Sequence, residues 1–262
     1  EGAQHEASVS LLQHMRRITT CLREAFPHAV VEEAEENVAS MSLEDLTDVS
    51  DFMGVRPYCF DSGDLRPQRR RRFFWASWNV QAREEVRLVE KDHYTRVELL
   101  PASRPPLASY LDEGWAPHEQ FDGVYPTLTR PCAVAVPRFH TPGDNTASTK
   151  TLAAWKADQH RRPPINYEDR FKLVRTRDGQ ERYRNTGELE RLAGFDREYT
   201  LPLWKTSRRK QNPEGFRDAR ESGLGNAYDP DIVAFLLAEL AWSHGLLRAP
   251  LSVEQLVHRR VR

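Results

Sequence analysis

Paired cysteines, long apolar runs and an excess of one charge are all scarce in this chain, and each shortage removes a class of protein. The three cysteines, Cys21, Cys59 and Cys132, are odd in number, widely separated and not in CxxC spacing. They outline neither a disulfide framework nor a zinc site, and they fit a reducing compartment. No run approaches the ~18 consecutive apolar residues that cross a bilayer, and the amino-terminal residues show no basic-then-apolar signal pattern. The expectation is a soluble, intracellular protein with no membrane partner. The 38 basic and 39 acidic residues leave a net charge of −1, so the chain as a whole is no polycation. That balance conceals two blocks: five arginines between Arg66 and Arg72, and the group Lys205, Arg208, Arg209 and Lys210. Local blocks of this kind bind phosphate even on a neutral protein.

What is present suffices for a globular domain. With 262 residues, 39% of them hydrophobic and six of them tryptophan, the chain can bury one large core, or one core with a smaller inserted lobe. A charged fraction of 29% and a mean hydropathy of −0.70 predict a thin core and long polar loops. Glu1 in place of an initiator methionine suggests a piece of a longer polypeptide.

Apolar residues at spacings of three and four (Leu11, Leu12, Met15, Ile18, Leu22, Phe26) predict an amphipathic helix from Val9 to Phe26, ended by Pro27. Ala29 to Val38 reads as a short strand. Ser42 then caps a helix carrying Leu43, Leu46, Val49 and Phe52 and closed by Gly54, and Val55 to Phe60 reads as a second strand. Helix and strand alternating in this way predict an α/β layered sheet. Phe73 to Trp78 follows as a buried strand. From about Val80 to Arg184 the rhythm is lost amid most of the prolines, which predicts an irregular lobe. A short helix is expected over Gly187 to Gly194, then a basic loop. A last helix opens at Asp229-Pro230 and runs through Trp242 to Gly245. The implied division is 1–79, 80–184 and 185–262.

Three strings bear on function. Glu36-Asn37-Val38 stands between a strand and a helix; by itself it is an acidic turn. Gln68-Arg69-Arg70-Arg71-Arg72 precedes Phe73-Phe74-Trp75, and in an extended segment Arg70 and Arg72 share a face from which they can hold carboxylates or phosphates. Alone it reads equally as a basic surface turn or a nuclear localisation patch. The third string, Gly187 to Phe195, is followed by Tyr199-Thr200 and later by Leu224-Gly225-Asn226-Ala227-Tyr228, a capped helix and a glycine-containing turn.

In this order the strings resemble the cytosine-5 DNA methyltransferases, in particular the animal de novo type. The ENV motif corresponds to Glu36 to Val38 and the QxRxR motif to Gln68 to Arg72. The variable target-recognition region corresponds to Val80 to Arg184, the helix ending in Gly-Phe to Glu188 to Phe195, and the GNS-like turn to Gly225 to Tyr228. The resemblance spans residues 9 to 246. It implies part of a Rossmann-like, S-adenosylmethionine-dependent methyltransferase sheet, with the recognition lobe inserted between the second part of the catalytic core and its closing helices. It implies methyl transfer from S-adenosyl-L-methionine to a flipped cytosine in nuclear DNA, after a cysteine thiolate has attacked ring carbon 6.

On that resemblance Glu36 is the carboxyl group that assists at ring nitrogen 3, Arg72 contacts the base and Arg70 orders the site. Asn226, Ala227 and Tyr228 are the cofactor-binding candidates. Gln68 and Arg130, the latter in Thr127-Leu128-Thr129-Arg130, are the DNA-binding candidates. Lys205, Arg208, Arg209 and Lys210 would meet phosphates without sequence preference.

The glycine-containing cofactor turn and the Pro-Cys nucleophile loop, which precede ENV in the family, are not in this sequence, and Pro131-Cys132 falls in the wrong place to replace them. The expectation is therefore an enzyme fragment, inactive alone, in a homo- or hetero-oligomer of methyltransferases. The alternative is a noncatalytic, DNA-binding or regulatory partner. The strand before Glu36 carries Glu32, Glu33 and Glu35, charge that a strand covered on both faces would have to pair.

Overall fold

The computed structural model describes residues 2–117, 125, 149–157, 173–202 and 213–258. Its internal contacts divide it into two units. The first comprises Glu1–Asp61, Arg71–Leu100 and Ile232–Val253, and the second Ser62–Arg70, Pro101–Asp231 and Glu254–Arg262.

The first unit is a mixed α/β structure. Helix α1 (Gly2–Ala25) stops short of Pro27 as expected but begins well before Val9, and strand β1 (Ala34–Val38) follows. Helix α2 (Leu43–Met53) has the expected ends: the Ser42 hydroxyl accepts the Asp45 N–H, and Gly54 takes φ 70° and donates its N–H to the Ser50 carbonyl. Strands β2 (Tyr58–Asp61), β3 (Arg71–Ala76), β4 (Val86–Glu90) and β5 (Thr95–Leu99) complete a five-stranded sheet of order β1-β3-β2-β5-β4. Strands β1 and β2 both run antiparallel to β3, β2 runs parallel to β5, and β4 and β5 form an antiparallel hairpin.

Side-chain alternation along β2 and β3 sends apolar groups to both faces. On one face Cys59, Phe73 and Trp75 pack with Leu46 and Val49 of α2 and Leu12 of α1, and the Trp75 indole N–H donates to the Ser50 hydroxyl at 2.9 Å. On the other face Phe60 meets Phe74 edge-on at 5.7 Å and Phe235 at 5.9 Å. Phe235 belongs to helix α6 (Pro230–Ser243), whose Leu236 carbonyl accepts the Trp78 indole N–H at 3.0 Å.

Two sequence expectations are corrected here. Regular structure does not cease at Val80, because the β4–β5 hairpin extends the sheet; Thr95, Val97 and Leu99 are buried while Arg96 and Glu98 between them are less so, the alternation of a half-buried strand. The acidic strand is an edge strand of the sheet, not a central one. Among the described residues β1 pairs with β3 alone, so it lies at the sheet edge with its carboxylates partly exposed.

The second unit holds an antiparallel sheet of β6 (Trp115–Pro117), β7 (Leu173–Thr176) and β8 (Glu181–Tyr183), again within the stretch expected to be irregular. It also holds helices α3 (Thr149–Ala157), α4 (Thr186–Leu192) and α5 (Pro213–Asn226); a last helix, α7, spans Val253–His258. Helix α4 opens on a complete capping box, Asn185 and Glu188 each accepting the other's backbone N–H. Its Leu189 joins Ala193, Phe195 and Leu224 in a small core. Helix α5 was not expected: Gly215, Gly223 and Gly225 lower its intrinsic propensity and mask its pattern.

The three-ring stack on β2 gives a direct stability test. Phe60 is fully buried, so Phe60→Ala is expected to cost ~3–5 kcal/mol and Phe60→Leu distinctly less, as read from urea unfolding of the two variants against the parent chain.

Candidate functional site

The stretch from Arg66 to Arg72 is where sequence and geometry agree most closely. The chain bends at Arg66 and Pro67, where the Gln68 N–H donates to the Arg66 carbonyl at 2.8 Å, and side chains alternate beyond it: Gln68, Arg70 and Arg72 are, like Arg66, at most 5% exposed, whereas Arg69 and Arg71 face solvent. Arg70 and Arg72, expected on one face, are both buried. A buried guanidinium needs acceptors, and the partners differ for each arginine.

Arg72 meets Glu36. In the β1–β3 register Val38 stands opposite Arg72 and Glu36 opposite Phe74. Glu36 and Arg72 are therefore diagonal neighbours on one face, the reach of a cross-strand pair, and Arg72 Nε lies 2.7 Å from Glu36 Oε1. The arginine side chain is 6% exposed and the glutamate 29%, so the carboxylate opens toward solvent while its partner is enclosed. Burial pulls the Arg72 pKa down, and Glu36 opposes that without cancelling it. Glu35, one residue earlier, points to the opposite face beside Trp75; burial, aided by repulsion from Glu36, pushes its carboxyl above the usual range.

Arg70 closes helix α5. Its Nη1 donates to the Leu224 carbonyl at 2.7 Å and its Nη2 to the Gly225 carbonyl at 3.1 Å, so the last turn of the helix receives a bidentate cationic cap. The string expected to form the cofactor turn is consequently part helix: Leu224, Gly225 and Asn226 complete α5, and the turn proper is Ala227 to Asp229. Of the cofactor candidates, Asn226 is exposed, Ala227 packs on the Leu189–Phe195 core, and Tyr228 is about half exposed.

Arg66, which sequence reasoning did not single out, binds the other end of that turn. It pairs with Asp229 at 3.3 Å and, more closely, with Asp231, while Asp229 accepts the Asp231 N–H and so caps α6 as expected. Burial lowers the Arg66 pKa, but the two aspartates outweigh it and the net shift is upward. Gly194, at φ 84°, passes so close that a Cβ there would stand 1.7 Å from Arg66 Nη1. The only sequence signal for this pairing was the Asp-Pro-Asp at 229–231. Gln68 is buried beside Tyr125 in an isolated parallel bridge.

Two further buried carboxylates anchor α4. Glu188 receives Arg182 through both oxygens, at 2.7 and 2.8 Å, together with the Asp112 and Asn185 N–H groups. Glu190 accepts the Thr200 hydroxyl, Arg220 at 2.7 Å, and the backbone N–H groups of Glu198 and Thr200. That network holds Glu198, a non-glycine residue, at φ 67°. Burial raises the pKa of each carboxyl, and the hydrogen bonds and cations outweigh it, so both lie below the ordinary range.

Arg130, Thr127 to Thr129, Cys132 and the basic group from Lys205 to Lys210 lie outside the described residues. Among the described residues no cluster of three or more histidine, cysteine or acidic side chains could hold a metal, and no helix is long and apolar enough to cross a membrane. Cys21 is exposed and Cys59 buried, and neither forms a disulfide among the described residues. Neither a protein-family model nor a curated protein matches the chain. Its own residues carry the functional argument: a half-open carboxylate fixed by a buried arginine, and a turn, pinned at both ends by buried arginines, that displays Asn226 and Tyr228.

Opposite pKa shifts predict opposite pH signatures. The folded pKa of Glu190 lies below the unfolded value of ~4.3. Its stabilisation is therefore complete above that value and lost as pH falls through the folded pKa. Glu190→Gln should be less stable than the parent at neutral pH, with the difference shrinking in acid. Glu35 is shifted the other way, so Glu35→Gln should be more stable at neutral pH, the gain vanishing once both states are protonated. Urea midpoints measured across the acid range check both signs.

Proposed function

We propose that the chain is part of a DNA cytosine-5 methyltransferase and that Glu36 is the group that engages ring nitrogen 3 of a flipped cytosine. The observation that carries this reading is the 2.7 Å contact between Glu36 and Arg72. It joins the two strings, ENV and QxRxR, that the resemblance assigns to base recognition, although 35 residues separate them.

The chemistry asked of Glu36 is hydrogen bonding or proton donation to a ring nitrogen as a nucleophile adds to carbon 6. A carboxyl group held by a charged partner and open on its other side can do this with little reorganisation. Arg72 fixes its direction. Arg70 acts at one remove, by holding the end of α5 from which Asn226, Ala227 and Tyr228 follow. These three residues suit a cofactor with an adenine ring and polar groups, since the exposed amide of Asn226 can hydrogen-bond and the exposed ring of Tyr228 can stack. Bound S-adenosyl-L-methionine would supply the electrophilic methyl group. DNA is the macromolecular partner on this reading, and a nuclear location follows from that substrate.

Methyl transfer from labelled S-adenosylmethionine to duplex DNA tests the proposal, with a Pro-Cys nucleophile loop supplied in cis or by a second polypeptide. Glu36→Gln is expected to lower the rate by about a hundredfold or more, and unchanged turnover removes Glu36 from the mechanism. Calorimetric titration of this chain alone with S-adenosylmethionine reads the Asn226–Tyr228 turn separately. DNA binding without cofactor binding or transfer favours a noncatalytic partner instead.

A further inference from the structure

Arg66, Arg70 and Arg72 are each buried against carboxylates or carbonyls, but a fourth buried arginine is not. Arg184 follows β8 and immediately precedes the Asn185 cap of α4. It is 7% exposed, makes no ion pair among the described residues, and its Nε and Nη1 make no hydrogen bond. Its contact is with a ring: the guanidinium carbon lies 3.6 Å from the centroid of Tyr125, which is fully buried with Leu107 and Leu192. A cation over an aromatic face recovers part of the cost of burial but leaves Nε and Nη1 without an acceptor among the described residues.

A second buried polar group pairs with the same residue through the backbone. Gln68 pairs with Tyr125 in a parallel bridge, fixed by the Tyr125 N–H to the Pro67 carbonyl at 2.9 Å and the Arg69 N–H to the Tyr125 carbonyl at 2.8 Å. Directly paired residues place their side chains next to each other. Gln68 is 1% exposed, and among the described residues neither polar atom of its amide makes a hydrogen bond. Buried amides and guanidinium groups without acceptors are rare in folded proteins because each costs free energy. Two of them bordering one aromatic ring are a polar lining, and its formal charge is positive. Glu188 and Glu221 act on Arg184 only from a distance, so burial still pulls its pKa down.

We propose that Arg184 and Gln68, both neighbours of Tyr125, form a binding site for an oxyanion of the phosphate type. The planar donors of the guanidinium take two oxygens of such a group, the Gln68 amide donates to a third, and the anion supplies the charge that Arg184 lacks. A free phosphate ester and a phosphate of a nucleic-acid backbone present the same chemistry. The proposal shares Gln68 with the methyl-transfer reading but needs neither the Glu36 carboxylate nor the Asn226–Tyr228 turn, and the phosphate test below reads it apart from methyl transfer.

Thermal unfolding of the purified chain in inorganic phosphate, against chloride at equal ionic strength, tests it. Phosphate at a hundredfold excess over its dissociation constant is expected to raise the parent melting temperature by about 5 °C or more. Arg184→Met, which keeps the stem over Tyr125, should lose that rise and melt in chloride no lower than the parent, since it removes a buried charge without removing a partner. Arg184→Lys keeps the charge without the fork and should weaken phosphate binding about tenfold. An equal phosphate shift in the parent and in both variants overturns the proposal, as does a parent that responds to phosphate no more than to chloride. If Arg184→Met melts lower than the parent in chloride while the lysine variant binds phosphate normally, Arg184 is a structural cation and the proposal fails. A single-stranded thymidine 12-mer then separates the sources: competition by phosphate in the parent but not in Arg184→Met assigns the site to a nucleic-acid backbone, and indifference assigns it to a free ester.

Discussion

The burial of Arg66 constrains the second unit more than any other interaction. A guanidinium taken out of water is tolerable only when carboxylates follow it in, and here Asp229 and Asp231 do so from a point 165 residues further along the chain than Asp231's partner. Pro230 between them fixes the backbone at the start of α6 and lets both acids turn to one side. Residue 194 can then only be glycine, since the arginine occupies the space a Cβ would need. Beyond the bend at Arg66 and Pro67, alternation turns Gln68 and Arg70 inward, and Arg70 closes α5. One ion triad thus sets where the segment lies, which residue may pass beside it, and how the turn between α5 and α6 begins and ends.

Much of this was legible in local chemistry and little of it in long-range pairing. Ser42 with Gly54, and Asp229 with Pro230, marked their helices because caps and stops are decided within four residues. The alternation of Arg70 and Arg72 was legible for the same reason. The β4–β5 hairpin was missed although Thr95-Arg96-Val97-Glu98-Leu99 alternates plainly, because the prolines that follow it coloured the whole stretch as irregular. Helix α5 was missed because its glycines argue against a helix locally; the Arg70 cap and the packing of Leu224 override that preference. Partners for Arg66, Glu188 and Glu190 could not be read at all, since nothing in a one-dimensional pattern says which acid a buried cation will meet.

The acidic run before Glu36 shows how topology decides the meaning of a charge. A strand buried between two layers could not carry Glu32, Glu33, Glu35 and Glu36, yet an edge strand can, because each carboxylate finds either solvent or a cation. Glu33 meets Arg23 at 2.8 Å, Glu32 meets His244 at 2.9 Å, and Glu36 meets Arg72. Glu35 is the exception: strand alternation turns it to the α1–α2 face beside Trp75, where burial raises its pKa. Two adjacent glutamates therefore have opposite environments, and the one fixed by an arginine, not the one buried among apolar groups, coincides with the motif assigned to chemistry.

The same logic distinguishes the buried arginines from one another. Arg66 has two carboxylates and is held charged despite its burial, which suits a structural tie that must not titrate or exchange. Arg72 is buried and its Nε pairs with Glu36, a carboxylate that is itself partly exposed. Arg184 has an aromatic face and no carboxylate at bonding distance among the described residues. Since the free energy of burying a cation must be met by something, each step from Arg66 to Arg184 transfers more of that compensation from the protein to whatever it binds. A guanidinium compensated from within stabilises the fold; one compensated only by a ring has its strongest interaction still to make.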